Sequence, residues 1–291
     1  MRSRELAARH RFPAIGTQWS VRTEQPLGQA LRERIRDRVE DYDRSWSRFR
    51  DDSLVSRAAR EPGRHAFPEE AVALMDLYWR LHERTEGAMT PLIGAPLERL
   101  GYDAAYTLRP SGEPIAAEPW DSGLRWEGST LVAQRPALFD VGAAGKGQLV
   151  DLLGGLLEQE GLERYCIDGS GDLRHRGEGA LRVALEDPRS PGRAIGVAEL
   201  EGRSICASAG DRRAWGEGLH HILDGRDGRP TTEVLATWVV ADDALVADGL
   251  ATALFFAPAA DAVRGFDAEY LRLLAGGQAE VSAGFPGEVF A

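Results

Sequence analysis

The chain has 291 residues, enough to bury a full hydrophobic core without metal or disulfide staples. Hydrophobic residues make up 43% and charged residues 28%, an ordinary globular composition, and length alone sets a soft expectation of about two domains. With 35 basic against 46 acidic residues the net charge is −11, which argues against gripping a nucleic-acid polyanion by general attraction but leaves open a small anion held locally.

Residues Met1 to Arg11 carry no apolar run of the kind that leads a secreted chain. The longest uncharged apolar stretch, Gly249 to Ala260, is far short of the ~18 residues that span a bilayer. A cytoplasmic protein without a membrane span is therefore expected. Residues 12–22 read as a first strand. A helical period follows over 27–50, with Leu27, Leu31, Ile35, Val39 and Tyr42 on one face, and a second over 69–86, with Val72, Met75, Tyr78, Trp79 and Leu81, stopped by Gly87. Residues 101–137 are rich in Gly and Pro and read as turns and short strands, a candidate boundary between lobes.

From 138 onward the pattern sharpens. A strand end at Ala137–Asp140 leads through a glycine-rich turn into a helix at 146–160, and Arg164–Asp168 and Leu181–Glu186 read as strands. Ile195–Leu200 and Ser204–Ser208 are expected to pair, and Val234–Ala241 is a β-branched strand. Asp242 is the expected N-cap of a helix at 243–256. Short turns connect most of these elements, which favours an α+β fold with a mixed, mostly antiparallel sheet. Cys166 and Cys206 sit in strand-like runs and read as buried small hydrophobes. His10, His65, His82 and His175 lie among charges and read as surface residues.

Three short segments carry side chains suited to chemistry. In Asp140-Val-Gly-Ala-Ala-Gly-Lys-Gly147, three glycines could present N–H groups to a phosphate at a helix start, or simply form a tight turn. It departs from the P-loop spacing. Its Lys146 is also the only lysine among 35 basic residues, which marks the turn. Asp248 and Thr252 stand four apart on a helix, so a carboxylate and a hydroxyl share one face. They suit Mg²⁺, or are a solvated Asp and a Thr bonded back to its own helix. His220 and His221 are adjacent in an extended stretch and point to opposite faces; one could serve a pocket as a general base, or both are structural. Trp46 and Phe49 could stack on a planar ligand or belong to the core.

In order and spacing these segments resemble the FAD:protein FMN transferases, the ApbE family. Phe12-Pro-Ala-Ile-Gly-Thr17 resembles its opening F-x-A-M-G-T, and Trp46-Ser-Arg-Phe-Arg-Asp-Asp-Ser53 with Val55-Ser-Arg57 its aromatic and serine–arginine block. Thr85 to Gly94 resembles T-x-G-A-F-D-P-T-V-G, Asp140 to Gly147 resembles D-L-G-A-I-A-K-G, and Asp168-Gly-Ser-Gly-Asp172 the D-x-G-G-D after it. Glu186-Asp-Pro188, His221-Ile-Leu-Asp224 and Asp248 with Thr252 complete the series. The sequence departs from the pattern at Ile15 (Met in the family), Ala58 (Asn), Thr90 (Asp), Ala209 (Ser) and the stretch Asp224-Gly-Arg-Asp-Gly228 (D-P-x-T-G).

The resemblance implies one two-lobed domain over 1–291 with a flavin-nucleotide cleft. It implies an enzyme that uses Mg²⁺ to move FMN from FAD to a Ser or Thr hydroxyl of an acceptor protein, releasing AMP. The metal ligands it implies are the Ala143 carbonyl, Asp248 and Thr252. Flavin-nucleotide contacts fall on Ile15, Phe49, Ala88, Met89, Thr90, Asp140, Lys146 and Ile222, and His221 becomes the candidate base. Two other activities fit the same motifs: hydrolysis of FAD to FMN and AMP, and flavin binding without catalysis.

Overall fold

The computed structural model describes residues 6–290; Met1–Glu5, part of the N-terminal segment read above, lie outside the described residues. The first half of the chain runs β1 (Ala8–Ala14), β2 (Thr17–Thr23), α1 (Gln29–Trp46), α2 (Leu54–Ala58), β3 (Gly63–Ala66), α3 (Ala71–Arg84) and α4 (Gly94–Arg99). It continues through β4 (Leu124–Glu127), β5 (Thr130–Ala133), α5 (Gly145–Gln159), β6 (Tyr165–Asp168) and β7 (Leu173–Arg176). Then come β8 (Leu181–Glu186), β9 (Ala194–Leu200), β10 (Ser204–Ala209), β11 (Ala214–Trp215) and β12 (Leu219–His220). The chain closes with β13 (Val234–Ala241), α6 (Ala244–Ala253), α7 (Ala259–Ala262), β14 (Ala268–Leu274), β15 (Ala279–Val281) and β16 (Gly287–Val289).

The frame is an eight-stranded sheet in the order β1-β2-β6-β7-β10-β13-β14-β15, and every ladder among the described residues is antiparallel. Its two faces follow from the period of two along a strand. Cys206, Val239 and Ala241 join the helical core, whereas their neighbours Ile205, Trp238 and Val240 pack under a small sheet of β16-β9-β8 through Leu185, Ala198 and Leu200. A strand covered on both faces has no polar side, which is why β13 reads as an apolar run broken only by the buried Thr237. On the helical face, α1 turns Leu31, Ile35, Val39, Tyr42 and Trp46 inward at steps of three and four. The helix α5 contributes Leu149, Leu153 and Leu157, all fully buried and each stabilising by about 1.5–3 kcal/mol. The 101–137 stretch does hold short strands, β4 and β5, which β3 completes into a third sheet beside an aromatic stack of Trp46, Phe67 and Trp126.

Four sequence expectations are corrected. The strand at 12–22 is a hairpin, broken at Ile15 and Gly16, whose φ angles of 39° and 77° make a turn with both central residues left-handed. Residues 195–200 and 204–208 do not pair: β9 belongs to the small sheet between β8 and β16, and β10 lies between β7 and β13. Asp242 does not cap α6. Asp243 occupies the N-cap with no side-chain bond, and Asp151 of α5 caps the helix instead, its carboxylate accepting from the N–H groups of Ala244 and Leu245 at 3.0 and 2.8 Å. Finally, His65 and His175 are buried rather than on the surface. Cys166 and Cys206 are free and buried, as expected. No helix among the described residues is long and apolar enough to cross a membrane.

Candidate active site

The helices α5 and α6 cross so closely that Gly147 is a steric requirement: a Cβ there would lie 2.1 Å from the Ala244 carbonyl oxygen. This contact brings Asp248 against the start of α5, where its Oδ2 accepts from the Gly147 N–H at 2.8 Å. One turn later Thr252 donates to the Ala143 carbonyl at 3.2 Å and lies 3.4 Å from the Ser208 hydroxyl. The carboxylate–hydroxyl face of α6 is thus turned into the protein, and Thr252 bonds across to another segment rather than back along its own helix.

The same close approach favours the tight-turn reading of the glycine-rich segment over the phosphate cradle. Gly142 N–H donates to Asp140 Oδ1 at 2.8 Å, Gly145 N–H to the Val141 carbonyl at 2.7 Å, and Gly147 N–H to Asp248. All three amides are committed within the protein. The glycines serve the packing of α5 on α6 and a tight entry into α5, not an open N–H nest.

Charge is concentrated beside this turn. Lys146 pairs with Asp172, which is completely buried, and Arg48 donates through Nε to Asp140 Oδ2 at 2.6 Å. Burial works against the Asp140 carboxylate, but the adjacent Arg48 guanidinium outweighs it and the group stays below the usual carboxylate range. Burial likewise opposes the Lys146 ammonium, and the carboxylates of Asp172 and Asp248 more than offset that, so its pKa is raised. Asp248 is different. Burial, and then the Asp172 carboxylate, push it up to about 7 against the pull of Lys146 and the Gly147 N–H. Two buried carboxylates share one ammonium, a local shortage of positive charge.

Opposite this floor stands a ribbon of β11 and β12, with the 3₁₀ turn Gly210–Arg213 leading into it. Trp215 anchors the ribbon by donating to the Leu100 carbonyl at 2.9 Å and stacking on Tyr102 with centroids 5.4 Å apart. His221 follows β12, and its N–H donates to the Arg213 carbonyl at 3.2 Å. The two adjacent histidines do part: His220 Nε2 meets the Thr231 carbonyl at 2.8 Å, while His221 lines a cavity and its buried Nδ1 has no partner among the described residues. Burial, aided by the nearby Arg213 charge, lowers the His221 pKa to about 3, so the imidazole is neutral.

Between floor and ribbon lies a cleft of two connected chambers. The larger, about 510 Å³, is walled by Ile15, Trp46, Phe49, Tyr106 and Trp215; Phe49 is stacked on Tyr106 and carries the Arg48 guanidinium 4.2 Å above its ring. The smaller, about 310 Å³, is walled by Ala88–Thr90, His221, Ile222, Asp248 and Thr252. Thr17, Tyr102, Asp140, Gly142, Lys146 and Arg213 border both. The 88–90 stretch is held firmly: the Thr90 hydroxyl accepts from the Leu92 N–H at 3.2 Å, and the Ala88 carbonyl from the Gly225 N–H at 2.8 Å. The structure therefore brings Ile15, Phe49, Ala88, Met89, Thr90, Asp140, Ala143, Lys146, His221, Ile222, Asp248 and Thr252 to one cleft. Sequence reasoning passed over Arg48, Tyr106, Asp172 as an ion partner, and Arg213. Among the described residues no group of three or more His, Cys, Asp and Glu side chains gathers as a metal cluster.

Comparison with known proteins gives a consistent result. The ApbE family model matches residues 15–272. An FAD:protein FMN transferase of Klebsiella pneumoniae is 30% identical over 265 residues, covering 82% of this chain and 75% of the relative. One from Escherichia coli K12 is 31% identical over 248 residues, covering 77% and 70%. Among solved structures, the flavin transferase ApbE from Vibrio cholerae superposes with a TM-score of 0.77 at 21% identity, covering 96% of this chain and 98% of that one. The ApbE protein of Thermotoga maritima gives 0.78 at 23% identity, covering 95% and 97%. These two likenesses establish the fold.

Proposed function

This chain belongs to the ApbE family, and we propose that it is an FAD:protein FMN transferase, which moves FMN from FAD to a Ser or Thr hydroxyl of an acceptor protein and releases AMP in a Mg²⁺-dependent reaction. The observation that carries the reading is convergence: residues from six separated segments, Ile15 to Thr252, line one two-chambered cleft with room for a dinucleotide. Relatives that this chain matches over most of its length carry the same activity in their names.

The residues at the floor fit a magnesium ion. The Ala143 carbonyl, the Thr252 hydroxyl and the Asp248 carboxylate are hard oxygen donors, and the raised Asp248 carboxylate beside Asp172 marks a place short of cation. Bound there, the ion would offset charge developing on the phosphates. In the transfer itself, the acceptor oxygen bonds to the FMN phosphorus. The anhydride bond to the AMP phosphate breaks, its electron pair leaves with AMP, and the acceptor's proton passes to a base. His221 is our candidate, supported by its neutral imidazole and by Nδ1, which has no partner among the described residues. The negative charge of bound FAD would raise its proton affinity from the low value of the empty cleft. Asp140, fixed by Arg48 and the Gly142 N–H, is assigned to flavin-nucleotide binding, as are Ile15, Phe49, Ala88–Thr90, Lys146 and Ile222.

The test is the intact mass of a candidate acceptor protein, incubated with this protein, FAD and Mg²⁺, with an EDTA control. A gain of one FMN that EDTA prevents is the expected result. AMP released with no mass gain makes the protein an FAD pyrophosphatase instead, and FAD bound but left intact reduces it to a flavin-binding protein.

A further inference from the structure

We propose that Arg213 holds the diphosphate of the dinucleotide substrate at the junction of the two chambers, an inference that rests on the transfer reading above. Among the described residues five cationic side chains line the cleft, and four are already paired. Arg48 is bound to Asp140, Lys146 to Asp172, Arg212 to Glu186, and Arg50 to Asp43 and Asp52. The guanidinium of Arg213 makes no hydrogen bond or ion pair among the described residues, although it borders both chambers and is partly withdrawn from solvent.

An arginine with no hydrogen bond or ion pair among the described residues, in a cleft lined by the carboxylates of Asp43, Asp140 and Asp248, is open to a partner from outside the chain. A diphosphate suits it. The guanidinium is always charged, and its planar fork matches two phosphate oxygens at once. The N–H groups of Gly142, Gly145 and Gly147 are bonded internally, and the Lys146 charge is matched by Asp172, which leaves Arg213 as the cation free to take the diphosphate.

The residue is also well placed in the fold. It ends the 210–213 turn, its carbonyl receives the His221 N–H, and Trp215 two residues on fixes the ribbon to Leu100 and Tyr102. Arg213 and His221 therefore sit on one small rigid unit. With the diphosphate held there, the cation meets the oxygens that gain charge as the anhydride bond breaks, and the same unit carries the His221 imidazole.

The proposal is tested with Arg213→Gln and Arg213→Lys in the full chain, by titrating FAD and riboflavin into each and by measuring kcat and KM for FMN transfer. Riboflavin has no phosphate, so a residue that binds the diphosphate separates the two ligands where a merely structural one does not. For Arg213→Gln, FAD affinity is expected to fall about ten- to a hundredfold with riboflavin affinity unchanged, since a hydrogen-bonded charge is lost. Arg213→Lys should recover part of the loss, and it carries the test if the glutamine variant fails to fold. Equal loss of both ligands, or of neither, overturns the proposal. If the wild type transfers FMN and both variants match it, Arg213 is dismissed and the transfer reading stands. If the wild type binds no FAD, both fall.

Discussion

The two sides of the cleft are built in opposite ways. On the floor, where α5 meets α6, the backbone amides of Gly142, Gly145 and Gly147 are all bonded, α6 is capped by Asp151, and a Cβ at Gly147 has no room. On the ribbon side, the Arg213 guanidinium and His221 Nδ1 make no hydrogen bond among the described residues, although the backbone that carries them is well tied. The floor therefore fixes the geometry of a few oxygens, and the ribbon holds groups whose partners arrive with the ligand. Substitutions in the floor should act on charge or on folding; those at the rim should act on binding.

The sharpest break between the two sides comes from Asp248→Asn. The amide keeps the shape and can still accept from the Gly147 N–H, but it removes the only charge in the proposed metal set. FMN transfer should fall by about 10³-fold, the scale of losing a metal's or oxyanion donor's electrostatic support. The melting temperature should not fall, because a buried carboxylate next to Asp172 is itself costly. Transfer assays over a magnesium titration decide the matter; full activity in the variant removes Asp248 from the metal site.

Next comes Gly147→Ala, which tests whether the floor is as unyielding as it looks. The added methyl meets the Ala244 carbonyl oxygen at 2.1 Å, so α6 must retreat. The expected cost is about 3 kcal/mol, a drop of roughly 6–10 °C in melting temperature for a chain of this size. A variant that melts like the wild type would show that the helices separate freely. Asp151→Ala should cost less, about 2 kcal/mol, through loss of the cap on the Ala244 and Leu245 amides. Arg174, which donates to Asp151 at 2.6 Å, retains Glu158 and the Tyr165 hydroxyl and so limits the damage. A loss smaller than that of an ordinary surface change would mean that α6 does not depend on its neighbour for capping.

The floor was largely legible in the sequence and the ribbon was not, for physical reasons. Helical periodicity marks α1 and α3, and the Asp248–Thr252 spacing puts both groups on one face whatever they touch. The sequence leaves the purpose of the glycines at 142–147 open between a tight turn and a phosphate site, because close packing and phosphate binding select the same small residue. Pairing of β9 and β10 was misjudged because adjacency along the chain favours a hairpin, whereas burial sends them to different sheets. The cap on α6 comes from a residue 93 positions away and leaves no local trace. Arg213 is one of 34 arginines and has no distinguishing neighbour. What marks it is the lack of a hydrogen-bond or ion-pair partner among the described residues, which is visible only in three dimensions.

The smallest effect, and the most direct contrast with Gly147, belongs to Ile15. It is a β-branched residue at φ 39°, a left-handed conformation that such side chains avoid, at the tip of the β1–β2 hairpin where it walls the larger chamber. The favoured turn of this kind carries Asn-Gly, and here only the Gly is present. Replacing Ile15 by Asn should relieve about 1 kcal/mol of backbone strain while giving up apolar contact of similar size, since the side chain is only partly buried. The melting temperature should then move by less than roughly 2–4 °C, while the affinity for FAD weakens several-fold as an apolar wall of the chamber is lost. A single methyl on the floor would thus cost more stability than replacing a whole side chain at the rim. A large drop in melting temperature would make Ile15 part of the core. Unchanged FAD affinity would mean that the strain at this turn is not kept for the ligand.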